Sequence, residues 1–175
     1  MNEATIREMR REDMGRVLEI YAQGIATGDS TFQSQVPTPE VWDEAHMGKC
    51  RLVAEANGKI AGWVALTWVS DGCAYKGVAE VSIYIDSAHH GKGIGRKLLE
   101  AVIEESEKEG LWTLQATIMD GNIGSVKISE RCGFRLVGTR EKIDRDIHGK
   151  WRDTRFYERR SKVVGVEGTG DVYDA

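Results

Sequence analysis

The segment "GVAEVSIYIDSAHHGKGIGRKLLEAVIEE", Gly77 to Glu105, constrains the fold more than any other part of the chain. Its first half alternates: Ala79, Val81, Ile83 and Ile85 share one face, and Glu80, Ser82 and Tyr84 share the other, the period of a strand. Its second half spaces Ile94, Leu98, Leu99, Val102 and Ile103 as one helical stripe, and Gly110 supplies a C-terminal stop. Between them Gly91, Gly93 and Gly95 stand among basic residues. A strand that turns through glycines into a helix presents unpaired backbone amides at the positive end of the helix dipole, which suits an anion. Lys92 and Arg96 add charge of the kind a diphosphate uses. The spacing G-x-G-x-G is not the dinucleotide fingerprint G-x-G-x-x-G, and the triphosphate loop G-x-x-x-x-G-K-[ST] is absent from the chain.

Other segments complete an alternating order. "ATIREM" reads as a first strand, and Met14, Val17, Leu18, Tyr21 and Ile25 mark a helix with Asp13 as its N-cap. Both prolines fall in a Ser/Thr-rich loop that leads into a short helix from about Pro39. "RLVAEANGKIAGWVALTWV" is a hairpin joined by Asn57-Gly58. "LWTLQATIM" is a strand, a short helix runs from about Gly124 to Arg131, and two long strands meet around His148-Gly149. The expected class is α/β (α+β), in the order β-α-α-β-β-β-α-β-α-β-β. One domain spans 1–162, and a tail at 163–175 is expected to dock on a partner subunit.

The balance of 41% hydrophobic and 30% charged residues over 175 positions fits a globular chain with a real core. A net charge of −4 argues against nucleic-acid binding, which calls for a broad basic face. No apolar run approaches the roughly 18 residues of a membrane helix. The N-terminus is too polar for a signal peptide. Cys50, Cys73 and Cys132 are odd in number and scattered, so neither a disulfide framework nor a structural metal is expected. The chain reads as reduced and cytoplasmic.

"HHGKGIGRKLL" after "VAEVSIYID" resembles the cofactor motif of the GNAT superfamily of acyl-CoA-dependent N-acyltransferases. That motif has Arg or Gln, two residues, Gly, one residue, then Gly or Ala. It maps onto His90, Gly91, Lys92, Gly93, Ile94 and Gly95, with His90 departing from Arg or Gln. "IYAQGIATGDSTF", "AEVSIYID", "GNIGSVKISERCGF" and "HGKWRDT" are similar to the phosphinothricin N-acetyltransferase-like branch.

The resemblance implies a mixed sheet of about seven strands, splayed around an acyl-CoA site, with about four helices. It implies acetyl-CoA as co-substrate, its pyrophosphate on the loop from His90 to Arg96 and its pantetheine arm along Ile83, Tyr84 and Ile85. Asn122, Ser125 and Ser129 complete the cofactor side. Glu80 corresponds to the branch's general base, and backbone amides near Ile83 are the natural oxyanion donors. Family members often carry Tyr or His where this chain has Ser129, so the proton donor to the departing thiolate is left open between Tyr84, water and none.

The branch implies a small amino acid or analogue as acceptor: phosphinothricin, methionine sulfoximine or methionine sulfone. Thr31, Phe32, Trp63, Tyr75 and Lys76 are the expected substrate residues, with Lys76 facing a carboxylate where relatives often have Arg. A homodimer is expected. Rival readings are a protein or peptide N-acetyltransferase, a polyamine or aminoglycoside N-acetyltransferase, and a non-catalytic acyl-CoA-binding sensor.

Overall fold

Strand β1 (Thr5–Glu8) is followed by helices α1 (Met14–Thr27) and α2 (Pro39–Ala45) in the computed structural model, which describes residues 3–167. Strands β2 (Leu52–Ala56), β3 (Lys59–Trp68) and β4 (Val78–Ile85) come next. Helix α3 (Ile94–Lys108), strand β5 (Thr113–Met119), helix α4 (Ile123–Arg131) and strands β6 (Arg135–Arg145) and β7 (Trp151–Arg160) complete the order. The expected succession of elements is the observed one.

The strands form one seven-stranded sheet in the order β1-β2-β3-β4-β5-β7-β6. Every pairing is antiparallel except β4 with β5. The β2–β3 turn owes its tightness to Asn57 and Gly58, whose φ angles of 53° and 72° are the left-handed values a two-residue hairpin demands. Thr38 caps α2 by accepting from the Val41 amide at 3.3 Å, with Pro39 in the first turn.

Asp13 does precede α1, but its side chain does not cap it. The carboxylate instead accepts from the Arg10 amide at 2.7 Å and from both terminal nitrogens of Arg7 at 2.7 and 3.0 Å. A bidentate guanidinium is a stronger partner than the helix amides would be.

The sheet is covered on both faces. Val17 and Ile20 of α1 and Trp42 of α2 pack with Val53, Trp63 and Ala65 on one side. Leu98, Leu99 and Val102 of α3 and Val126 of α4 pack with Leu52, Ala54, Val64, Leu66 and Ala79 on the other. The alternation Trp63/Val64/Ala65/Leu66 therefore feeds two cores, and β3 is apolar on both faces.

The first part of the C-terminal tail is held within its own chain. The Arg160 guanidinium donates to the carbonyls of Val164 at 2.8 Å and Gly165 at 2.5 Å. The remainder of the expected docking tail, 168–175, lies outside the described residues. Among the described residues, no helix is long and apolar enough to cross a membrane.

Candidate active site

The parallel pairing of β4 with β5 lasts for only three positions: Val78 with Thr113, Ala79 with Leu114, and Glu80 with Gln115. Beyond Glu80 and Gln115 the two strands part, although β4 runs on to Ile85 and β5 to Met119. The backbone of 81–85 keeps β3 on one side and is open on the other. An extended amide-bearing chain can add there as a strand does.

A cleft of about 240 Å³ occupies the split. Its lining divides between the two faces of the sheet. On the α3/α4 face lie Val81, Ile83, Leu99, Ala116, Ile118, Asn122, Ser125, Ile128, Ser129 and Phe134. On the α1 face lie Glu80, Ser82, Tyr84, Thr117, Met119 and Thr154, with Ser30, Thr31 and Phe32 from the loop after α1. The opening thus passes through the sheet, and two molecules can meet inside it from opposite sides.

On the α3 side, the first helical bond runs from the Lys97 amide to the Gly93 carbonyl at 3.2 Å. The amides of Ile94, Gly95 and Arg96 precede it and have no partner within the helix. Gly91 and Gly93 have φ of 74° and 78°, and a Cβ on either would meet no atom within 4 Å, so the glycines serve backbone geometry rather than close packing. Gly95 is different: a Cβ there would stand 2.7 Å from Ile128 Cδ1 of α4.

His90 Nε2 donates to the Ile85 carbonyl at 3.0 Å, and Lys92 Nζ to that of Ala88 at 3.0 Å. Arg96 pairs with Glu100 at 2.7 Å, one turn along. The loop is tied to the sheet by the buried Asp86, which accepts from Gln23 of α1 at 2.9 Å and from His89 at 2.8 Å and pairs with Arg16 at 3.1 Å. Burial works against the charged carboxylate, but these partners outweigh it and hold its pKa below the usual range. Open amides, exposed cations and an unobstructed turn fit a diphosphate.

Asn122 stands at the N-cap of α4, accepting from the Ser125 amide at 3.2 Å, and also lines the cleft. Ser129 lines it from the last turn of α4 and is buried. Tyr84 stacks on Trp63 with centroids 5.0 Å apart and meets Tyr21 edge-on at 4.9 Å. Burial pushes the phenol pKa of Tyr84 well up. Glu80, half-buried at the apex of the split, accepts from the Thr117 hydroxyl at 2.8 Å.

Thr31 and Phe32 line the cleft as expected, but three other expected substrate residues do not. Trp63 is 1% exposed and belongs to the core under α1 and α2, where it backs Tyr84 rather than touching a substrate. Its strand is covered on both faces, so neither side chain direction leads to solvent. Tyr75 and Lys76 are exposed in the turn before β4, outside the cleft lining.

The lining also includes Ser82, Thr117, Met119 and Thr154, which the motif reading passed over. Strand alternation was the available signal, since Ser82 follows Glu80 by two residues and Thr117 follows Gln115 by two.

Residues 14–134 match the acetyltransferase (GNAT) family. The chain belongs to that family. It is 32% identical over 162 residues to the phosphinothricin N-acetyltransferase of Alcaligenes faecalis, covering 89% of this chain and 81% of that protein. It is 30% identical over 161 residues to the L-methionine sulfoximine/L-methionine sulfone acetyltransferase of Salmonella typhimurium (strain LT2), covering 88% of this chain and 92% of that one. The crystal structure of a phosphinothricin acetyltransferase from Sinorhizobium meliloti in complex with acetyl-CoA superposes with a TM-score of 0.84 at 26% identity, covering 98% and 96% of the two chains. The mixed seven-stranded sheet with four helices is the fold of this GNAT acetyltransferase.

Proposed function

We propose that this GNAT chain moves an acetyl group from acetyl-CoA to the amine of a small amino acid or close analogue, of the phosphinothricin or methionine sulfoximine type, with Glu80 as general base. Acetyl-CoA enters from the α3/α4 face. Its pyrophosphate lies on the amides of the loop from His90 to Arg96, and its pantetheine arm runs along the open edge of Ile83, Tyr84 and Ile85. Asn122, Ser125 and Ser129 flank that arm. The acceptor enters from the α1 face, between Thr31, Phe32 and Ser82.

Glu80 takes a proton from the ammonium, directly or through water. The freed amine nitrogen attacks the thioester carbonyl carbon, forming the C–N bond and an oxyanion that backbone amides near Ile83 stabilise. The intermediate collapses by breaking the C–S bond; the surplus proton on the new amide nitrogen passes to the departing sulfur, directly or through water, and coenzyme A leaves as the thiol.

The observation that carries this reading is the position of Glu80, a carboxylate at the apex of a split that opens to both faces of the sheet. Glu80→Gln should lower kcat by roughly 10²–10⁴-fold while leaving acetyl-CoA affinity in place. Coenzyme A release measured over amino acids, polyamines and peptides identifies the acceptor class. Unchanged kcat in Glu80→Gln would remove the residue from the mechanism, and tight acetyl-CoA binding without release on any amine would make the chain a sensor.

The reading includes a homodimer. Edge strand β6 is exposed along its whole length and carries Leu136, Val137 and Ile143 at 46–50% exposure among its charged residues, a free edge that a second copy would cover. Light scattering on the purified chain measures this directly, and a monomer mass would end it.

A further inference from the structure

Thr117 stands where pairing between β4 and β5 has just stopped. Gln115, the last residue of β5 paired with β4, lies opposite Glu80, and Thr117 is the next residue on the same face. Because the strands have separated there, its side chain faces open space. It is exposed into the cleft, not packed in the core. Its hydroxyl donates across the split to Glu80 Oε1 at 2.8 Å.

A glutamate on a strand has three side-chain torsions, and an unrestrained one samples several rotamers. The cross-split bond selects one of them. It occupies one carboxylate oxygen and leaves Oε2 for an incoming ammonium. Bases work when their geometry is held before the substrate arrives.

We propose that Thr117 is a positioning residue for the reaction, holding the Glu80 carboxylate at the apex of the cleft with one oxygen free for the acceptor amine. This rests on Glu80 being the base. Thr117 exerts its effect through the Glu80 carboxylate that its hydroxyl holds.

Thr117→Val keeps the β-branched shape and removes the donor, and the exposed site lets the chain fold unchanged. Steady-state kinetics should show kcat about tenfold lower, the order of one hydrogen bond to a charged group. KM for acetyl-CoA should hold, because the α3/α4 face is untouched. Thr117→Ser, which retains the hydroxyl, should recover most of the loss. On a Glu80→Gln background, Thr117→Val should cost little further, since the two changes break one unit.

If Glu80→Gln is impaired but Thr117→Val matches the unaltered protein, the positioning role is overturned while the base stands. If Glu80→Gln is itself unimpaired, the base reading fails first. Equal losses in the Val and Ser variants, or fully additive losses in the double variant, would show that Thr117 acts through cleft shape instead.

Discussion

Gly24 decides how close α1 can come to the cleft wall. A Cβ at this position would lie 2.6 Å from two ring carbons of Tyr84. That ring is already stacked on Trp63 and edged by Tyr21, so it can yield only toward the cleft. Gly24→Ala sets a helix-propensity gain of about 1 kcal/mol against an overpacking cost of about 1–3 kcal/mol. The overpacking should win because the ring is boxed in. A lower urea midpoint and a raised KM for the amine are expected, with both partly recovered by Tyr84→Leu in the same chain. A variant more stable than the parent would show that the ring moves freely.

At the scale of elements, one buried arginine joins parts of the chain that sequence keeps far apart. Arg152 of β7 is 7% exposed. It donates to Asp120 after β5 at 2.7 Å, to Asp146 in the β6–β7 turn at 3.0 Å, and to Asp29 and the Gly28 carbonyl after α1 at 2.7 and 3.2 Å. Asp29 begins the loop that brings Ser30, Thr31 and Phe32 to the cleft. Arg152→Leu would leave carboxylates gathered around an apolar side chain, a change that costs about 3–5 kcal/mol when a buried partner is lost. Unfolding in urea should show that loss. Asp29→Asn, at a half-exposed position, should instead raise KM for the amine and spare acetyl-CoA; a stability loss in Arg152→Leu under about 1 kcal/mol would mean the cluster behaves as a surface pair.

Nothing in "HGKWRDT" announces this cluster, because its partners lie up to 124 residues apart. The glycine loop, by contrast, was legible: its chemistry is local, set by backbone angles and by a helix that starts within four residues. The face of β4 that Glu80 shares with Ser82 and Tyr84 was legible through strand alternation, whereas its proposed role as base came from the resemblance. Trp63 misled because β3 is apolar on both faces, and periodicity cannot assign a side when neither is polar.

Across the whole molecule, acid stability is concentrated in a few aspartates. Asp13 is held below its ordinary pKa of 3.8, first by the Arg7 guanidinium and despite burial. Asp86, Asp120 and Asp146 are also lowered, each against an opposing burial penalty, by Gln23 and His89 in the first case and by Arg152 in the other two. A carboxylate with a depressed folded pKa contributes stability that is fully present above its unfolded value. That contribution is lost as pH falls through the folded value, because the unfolded chain takes up the proton first. These four aspartates lie in three places, at the start of α1, at the head of the glycine loop and, for Asp120 and Asp146, beside the acceptor loop, so the loss is global. The urea-derived unfolding free energy should be level with respect to these groups from pH 7 to 5 and fall steadily below about pH 4. Arg7→Met removes the main cause of the Asp13 shift, so it should lower stability at pH 7 and flatten the acid slope. A parent protein whose stability does not fall below pH 4, or an Arg7→Met slope as steep as the parent's, would place the acid-sensitive groups elsewhere.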